Sequence, residues 1–304
     1  MNSQLLLLGA FAGLAVFLGL PVAVLQELSS KWKGFLNAFA VGVLIFLMVD
    51  ALGDAWQAVS RTAFIAFVGQ IPVSDAVSVL FAMFGGLLIG LFGLAYANHY
   101  SEDLVRSSHS ETLESEGKCT QEQLFKGIER VNGYRLSLMI ALGIGAHNFS
   151  EGLKLGHSYA SGTIGLVVSL SLLIGILFHS ATKGFGIASP LTGLSKFPNV
   201  RFLTVTALVC GLSTLIGTEI GGLWFSIYVY VFFMAIAAGA LVYATAMQTL
   251  SLRGPMFTAV SPKYLLMYNS GKRQVTNRVL VMGVFVGLVA TLASTFLIAI
   301  SGIL

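Results

Sequence analysis

The stretch LSLMIALGIGAHNFSEGLKLGH (residues 136–157) is an apolar run interrupted by the polar residues His147, Asn148, Glu151 and Lys154. A helix needs about 20 mostly apolar residues to cross the hydrocarbon core of a bilayer. An ionisable side chain at that depth is costly to insert, and it tends to face the interior of a helix bundle or a water-filled path. The stretch therefore predicts a membrane-spanning helix that turns polar groups toward neighbouring helices.

The whole chain has the composition of a membrane protein. Of its 304 residues, 56% are hydrophobic and 10% are charged, whereas soluble domains average about 25% charged residues. Eight apolar runs are long enough to span a bilayer, and they lack the alternation of barrel strands. They cover residues 4–26, 34–53, 75–97, 136–157, 163–190, 201–222, 226–250 and 279–303. We predict an all-α fold, a polytopic bundle of eight transmembrane helices that forms a single domain over residues 1–304.

Positive charge is distributed unevenly over the predicted connections. Most of the 17 Lys and Arg residues lie in the connections after the first, third, fifth and seventh runs, whereas Arg61 lies in a connection on the opposite side. Basic connections remain on the cytoplasmic side of a membrane, so both termini are predicted to be extracytoplasmic. The first run has no basic residue before it and is expected to be a retained helix rather than a signal peptide. The net positive charge is explained by topology, so the expected partner is the lipid bilayer and not nucleic acid.

One connection is much longer than the others. Residues 98–135 mix both charge signs with Ser and Gly, which predicts a cytoplasmic loop that is mobile in its first half. In its second half, Leu124, Phe125, Ile128 and Val131 recur at helical spacing. This pattern predicts a short helix on the cytoplasmic surface.

Two neighbouring apolar runs carry a similar polar interruption. The sequences HNFSEG (residues 147–152) and HSATKG (residues 179–184) share a histidine, a small polar residue, a charged residue and a glycine in the same order. Residues four apart lie on one face of a helix. His147 therefore shares a face with Glu151, and His179 shares a face with Lys183. Both histidines are predicted to lie at the same depth in the membrane, about 16 Å from the cytoplasmic helix ends.

Two imidazoles and a carboxylate at one depth predict a metal site. Such a donor set suits a borderline dication such as Zn²⁺ or Fe²⁺, and amide or hydroxyl oxygens can complete the coordination. The predicted ligands are His147, Asn148, Glu151, His179 and Ser180. The alternatives are a hydrogen-bonded structural pair for the histidines and Glu151, and helix-to-helix hydrogen bonds for Asn148 and Ser180.

These motifs resemble the ZIP (Zrt-, Irt-like) family of eight-helix divalent metal transporters. The family carries HNxPEG-type and HxxPEG-type signatures on its fourth and fifth helices. His147-Asn148-Phe149-Ser150-Glu151-Gly152 is close to the first signature, and the second is matched in register by His179, Gly184, Ile187, Ala188 and Pro190. The resemblance implies a transporter in which the metal ion is the substrate, with no enzyme activity and no resident cofactor.

The chain departs from the family pattern at several positions. Ser150 and Thr182 replace prolines, and Lys183 replaces the second glutamate. Thr214 stands at a sixth-helix position that is usually acidic, and Met247 and Gln248 stand where members often have glutamates. The departures favour one bound ion over two. Lys183 is then either a fixed substitute for the second cation or a side chain that extends to the cytoplasmic headgroups.

Acidic residues are predicted near the outer ends of the helices. Asp50 and Asp54 end the second run, so they form either an acidic mouth that concentrates cations or ordinary solvated helix ends. Lys154 lies one turn from the outer end of the fourth run and is expected to reach the membrane surface.

The resemblance and the residues together predict uptake of Zn²⁺ or Fe²⁺ into the cytoplasm by a multi-pass protein of the plasma membrane, the inner membrane of a bacterial cell. Two other functions remain open, a metal-binding sensor or regulator that does not transport, and an organic-anion transporter that uses Lys154 and Lys183. An intramembrane hydrolase is disfavoured because the chain contains neither HExxH nor GxSxG. The oligomeric state is left open, a homodimer included.

Overall fold

The computed structural model describes residues 3–25, 28–115, 121–162, 170–194, 196–252 and 277–300. These ranges contain eight α-helices and no strand, and each helix corresponds to one of the predicted spans. The helices are α1 (Ser3–Leu14, continued by a 3-10 stretch, Ala15–Val24), α2 (Ser30–Phe67), α3 (Val73–Ser115), α4 (Gln121–Ala160), α5 (Leu170–Ala188, followed by the 3-10 turn Ser189–Leu191), α6 (Val200–Leu223), α7 (Ile227–Ser251) and α8 (Asn277–Ile300).

Six of these helices are long and apolar enough to cross a membrane, and α4 and α5 are the two that are not among the six. Both carry the polar residues singled out in the sequence. An all-α polytopic membrane fold is thus confirmed. The orientation of the termini stays a prediction.

Several helix ends differ from the predicted ones. The helix α2 continues to Phe67, well beyond the predicted end at residue 53, so Asp50 and Asp54 lie inside it. The predicted loop 98–135 was wrong in its secondary structure, because α3 extends to Ser115 and α4 begins at Gln121. The helix predicted around residues 124–131 is part of α4. Hydropathy marks only the apolar part of a helix, and polar turns at its ends escape this signal. Residues 116–120 and most of the connection 251–278 lie outside the described ranges.

Close helix contacts in the bundle depend on glycine. At the contact of α4 with α6, a Cβ on Gly152 would overlap the carbonyl oxygen of Thr214, and a Cβ on Gly156 would overlap that of Thr218. From the other side, Gly217 and Gly221 face the backbone of α4. Small residues let helix backbones approach in this way inside a membrane. The contact fixes α4 at the centre of the bundle, with its polar face turned toward α2 and α5.

The core on one side of this polar face is a dry apolar cluster. Leu44 of α2, Ile140 and Ile144 of α4, Ile187 of α5 and Leu241 of α7 are all 0% exposed. On α2 and α4 these residues precede the polar positions, and on α5 they follow them. The cluster therefore lies between the polar residues and the side of the bundle that the charge pattern assigns to the cytoplasm.

The glycines of α3 provide a test of the role of glycine in helix packing, because only some of them contact the neighbouring helix α7. A Cβ on Gly90 would overlap the carbonyl oxygen of Ile236 in α7, whereas a Cβ on Gly93 would meet nothing within 4 Å. We expect Gly90→Ala to destabilise the protein by about 1–3 kcal/mol, and Gly93→Ala to have no effect or a small stabilising one. Thermal unfolding in detergent measures both, and equal effects of the two substitutions would contradict the proposed contact.

Candidate metal site

Three donor atoms converge where α4 faces α5. His147 and Glu151 lie one turn apart on α4, and Nε2 of His147 is 3.0 Å from Oε1 of Glu151. His179 of α5 brings its Nε2 to 3.2 Å from the same oxygen. All three donor atoms lie within 4.8 Å of one another. The structure therefore brings together the donor atoms of His147, Glu151 and His179 from the fourth and fifth helices.

The spacing of these atoms fits a small metal ion. A tetrahedral ion with bonds of about 2.0–2.1 Å keeps its ligand atoms about 3.3–3.4 Å apart. The two separations from Oε1 of Glu151, 3.0 and 3.2 Å, are close to that edge length, and all three donor atoms lie within 4.8 Å of one another. The three atoms are therefore close enough together to hold one ion.

Among the three donor residues, His147 is the one whose polar atoms lack hydrogen bonds within the described part of the chain. It is 0% exposed, and neither ring nitrogen has a hydrogen-bond partner among the described residues. Although Nε2 is close to Glu151, the direction between the two atoms does not suit a hydrogen bond. A buried polar atom without a partner is costly. Coordination of a metal ion through Nε2 would remove that cost for one of the two nitrogens, which favours a ligand role over a structural pair.

The ring of His179 is held from its other side. Its Nδ1 lies 3.4 Å from the hydroxyl oxygens of Ser294 and Thr295, both on α8. Contacts of this kind to the second ring nitrogen fix the orientation of a metal-binding histidine. No sequence pattern indicated these two residues, because hydroxyl side chains are common in membrane helices.

Glu151 uses its second carboxylate oxygen for a different partner. Lys183 is buried, with 1% of its surface exposed, and its ammonium donates to Oε2 of Glu151 and to Oδ1 of Asn148, the latter at 2.9 Å. The alternative in which Lys183 extends to the headgroups is therefore wrong. A lysine this deep is stabilised by its carboxylate, and Oε1 of Glu151 is left facing the two histidines.

The other two predicted ligands have hydrogen-bond partners of their own. Asn148 accepts from Lys183 and donates through Nδ2 to the carbonyl oxygen of Cys210 at 3.1 Å. Ser180 donates to the carbonyl oxygen of Ala12 at 3.0 Å. Thr214 donates to the carbonyl oxygen of Cys210 at 3.3 Å. All three line the same cavity as Glu151 and His179. The hydrogen bonds of Asn148 and Ser180 connect helices, whereas that of Thr214 stays within α6.

Asp50 lies beside the three donors. Its Oδ2 is 3.9 Å from Nε2 of His147, and it lines the cavity from α2. The interpretation of Asp50 and Asp54 as solvated helix ends was wrong, because α2 continues past them. The i, i+4 spacing of the two aspartates matches that of His147 and Glu151, and this match is the sequence signal that could have indicated a shared polar face.

A second polar group lies one helical turn further along the cavity. Nζ of Lys154 is 3.2 Å from Oδ2 of Asp54, and the hydroxyl of Tyr230 on α7 donates to that same oxygen at 2.9 Å. Lys154 thus contacts a carboxylate inside the bundle and does not reach the membrane surface, contrary to the prediction. Tyr230 was missed, since one tyrosine in an apolar helix has no distinctive pattern. His157, further out, stacks on Phe225 with ring centroids 4.2 Å apart and takes no part in the site.

Known zinc transporters are similar to this chain in sequence. No family model matches the chain. The zinc transporter ZupT of Escherichia fergusonii is 26% identical over 263 residues, which cover 85% of this chain and 90% of that protein. The chain is thus similar to a zinc transporter over most of its length. The zinc transporter ZIP10 of mouse is 27% identical over 162 residues, or 50% of this chain, and human ZIP10 is 26% identical over 144 residues, or 47%.

The match to ZIP10 is partial, because the chain spans only 18% and 16% of the lengths of the mouse and human proteins. ZupT is matched over most of both chains. These relatives are transporters and not enzymes, which confirms the prediction of a non-enzymatic protein. Together with the apolar helices they also confirm a multi-pass integral protein of the plasma membrane.

Two of the departures from the ZIP pattern now have structural explanations. The ammonium of Lys183 is bound between Asn148 and Glu151. Gln248 does not line the cavity. It is 0% exposed on α7, where Nε2 donates to Oδ1 of Asn37 at 3.2 Å and to Oγ of Ser189 at 3.4 Å.

The Glu151–Lys183 pair can be tested through stability alone. Glu151→Gln leaves a buried ammonium without its counter-charge, and we expect a loss of about 3 kcal/mol. The double substitution Glu151→Gln with Lys183→Met removes both charges and should recover most of that loss. Thermal unfolding of the purified protein without added metal measures both. A double variant no more stable than Glu151→Gln would show that the two charges do not stabilise each other.

Proposed function

We propose that this chain transports a divalent metal ion of the Zn²⁺ or Fe²⁺ class into the cytoplasm, through a mid-membrane site on α4 and α5. The observation that carries the proposal is the convergence of two imidazole nitrogens and one carboxylate oxygen within 4.8 Å inside an apolar bundle. The relatives, which are zinc transporters, support the same substrate class. The ion is the substrate, so no resident cofactor is needed.

The proposed ligands are Nε2 of His147, Oε1 of Glu151 and Nε2 of His179. Asp50 is the best placed fourth ligand, because its Oδ2 is 3.9 Å from His147. Asn148 and Ser180 support the site through their hydrogen bonds and are available as further oxygen ligands. Mixed nitrogen and oxygen donors suit Zn²⁺ and Fe²⁺ better than Ca²⁺ or Mg²⁺, which prefer oxygen alone. A site with few ligands also permits the exchange that transport requires.

The lining of the cavity supports entry of the ion from the extracytoplasmic side. Besides the site, it is lined by Leu155 near the end of α4, Ile176 near the start of α5, and Ile298 near the end of α8. The charge pattern places these helix ends on the extracytoplasmic side. Toward the cytoplasm, the buried cluster of Leu44, Ile144 and Ile187 separates the site from water. This state would load from outside, and release would require that the cluster opens.

The charges around the cavity favour a single ion. Three carboxylates (Asp50, Asp54 and Glu151) face two ammonium groups (Lys154 and Lys183), which leaves a net formal charge of −1 with neutral histidines. A second dication would add positive charge that these three carboxylates do not compensate. The ammonium of Lys183 therefore takes the place of that second ion.

The alternative functions differ in how well the contacts support them. An organic anion would have to separate Lys154 and Lys183 from the carboxylates that bind them, so the contacts disfavour that function. A metal sensor is favoured by one observation, the occupation of a second cation position by Lys183. Flux of ⁶⁵Zn into proteoliposomes separates metal transport from metal sensing, since a sensor binds the ion without moving it across the membrane. A single transporter domain and a homodimeric assembly stay predictions.

Removal of a proposed ligand should abolish both binding and flux. We expect His147→Ala, and Glu151→Gln in the Lys183→Met background that preserves folding, to lower Zn²⁺ affinity at least 100-fold, because a lost carboxylate or imidazole ligand is not replaced at this depth. His157→Ala is the matched control and should behave as wild type. Calorimetry and proteoliposome uptake are the measurements. Unchanged accumulation in both site variants would exclude the proposed site.

Lys183→Glu should create a second cation position. The substitution replaces the ammonium beside Glu151 and Asn148 with a carboxylate, the residue type that the ZIP signature has there. Elemental analysis of the purified protein should then give two bound ions per chain, where the wild type gives one. A stoichiometry of one in the variant would contradict the role assigned to Lys183 while leaving the primary site intact.

A further inference from the structure

The cavity has two polar levels along α2 and α4. At the inner level, Asp50 lies opposite the metal-binding side of α4. At the outer level, one turn further along both helices, Asp54 lies opposite Lys154. Asp50, Asp54, Glu151 and Lys154 all line one continuous cavity. An ion that moves through this cavity toward Glu151 therefore passes the ammonium of Lys154.

The two partners of Asp54 differ in burial. Tyr230 is 5% exposed, and it belongs to a packed apolar cluster formed by α2, α3 and α7. Lys154 has a long, flexible side chain that is 31% exposed, and its bond to Asp54 is 3.2 Å. The tyrosine therefore fixes the position of the carboxylate, whereas the lysine is the partner that can leave it. A partly exposed ion pair of this kind contributes little to stability.

We infer that Lys154 is a charge-selectivity residue for the proposed transport, because its ammonium occupies Asp54 until a dication displaces it. This inference rests on the proposed function. A monovalent cation that replaces the ammonium gains no electrostatic energy, since one positive charge exchanges for another. A dication at a similar distance interacts about twice as strongly with the carboxylate. Lys154 thus excludes Na⁺ and K⁺ from the cavity and weakens the retention of dications on the way to Glu151.

The test is Zn²⁺ uptake by the full chain in proteoliposomes, with Na⁺ exchanged for choline at constant ionic strength so that screening does not change. The wild type and Lys154→Arg, which keeps the charge, should be insensitive to Na⁺. Lys154→Met should lower the KM for Zn²⁺ on the order of five-fold, as expected when a like charge is removed from a partly exposed cavity. Uptake by this variant should also become inhibited by Na⁺, and adding Asp54→Asn should remove the inhibition.

The outcomes separate this inference from the proposed function. Uptake by the wild type, together with an unchanged KM and no Na⁺ inhibition in Lys154→Met, would overturn the role of Lys154 and leave transport established. Na⁺ inhibition in Lys154→Arg as strong as in Lys154→Met would also overturn it, because the charge would then not be the cause. No uptake by the wild type would overturn both proposals.

Discussion

The carboxylate of Glu151 is the group on which the polar interior of this bundle depends. One oxygen faces the two histidines, and the other accepts from Lys183. Without Glu151 the bundle would contain a buried ammonium that has lost its paired carboxylate, which is costly in a hydrocarbon environment. The same carboxylate therefore stabilises the packing of α4 against α5 and supplies the anionic ligand of the proposed site. A single substitution of Glu151 therefore affects both stability and metal binding, and only a paired change at Lys183 separates the two effects.

The helices and the main site residues were predictable from the sequence, because both follow from local patterns. Long apolar runs identify spans, and the i, i+4 spacing of His147 and Glu151 places them on one face whatever the tertiary structure. The similar depth of His179 followed from counting residues along the next helix. Helix ends were not predictable to the same extent. Hydropathy falls where a helix leaves the apolar layer, yet backbone hydrogen bonding continues, as α2 does for 13 residues beyond Asp54.

Contacts between segments that are far apart in the chain could not be predicted from local sequence patterns. Asp50 lies 97 residues before His147 in the chain, and their proximity depends on how α2 crosses α4. The partners of Lys154 and Lys183 could not be predicted from local patterns either. Both lysines are close enough to a predicted membrane surface to extend to the headgroups, but a carboxylate inside the bundle is a stronger partner in a medium of low dielectric constant. An intramembrane lysine near acidic residues on other helices is better interpreted as one member of an ion pair.

The glycine contact between α4 and α6 has a mechanical consequence. Gly152, Gly156, Gly217 and Gly221 bring two backbones together so closely that neither helix can slide or rotate without a collision. By contrast, α5 packs mainly against the 3-10 stretch after α1 and against α8, and it meets α4 chiefly through polar side chains. His147 and Glu151 thus lie on a helix that is packed tightly against α6, whereas His179 lies on a helix with few contacts to α4. Because the three donors lie on two helices, a small displacement of α5 relative to α4 would separate the ligands of a bound cation.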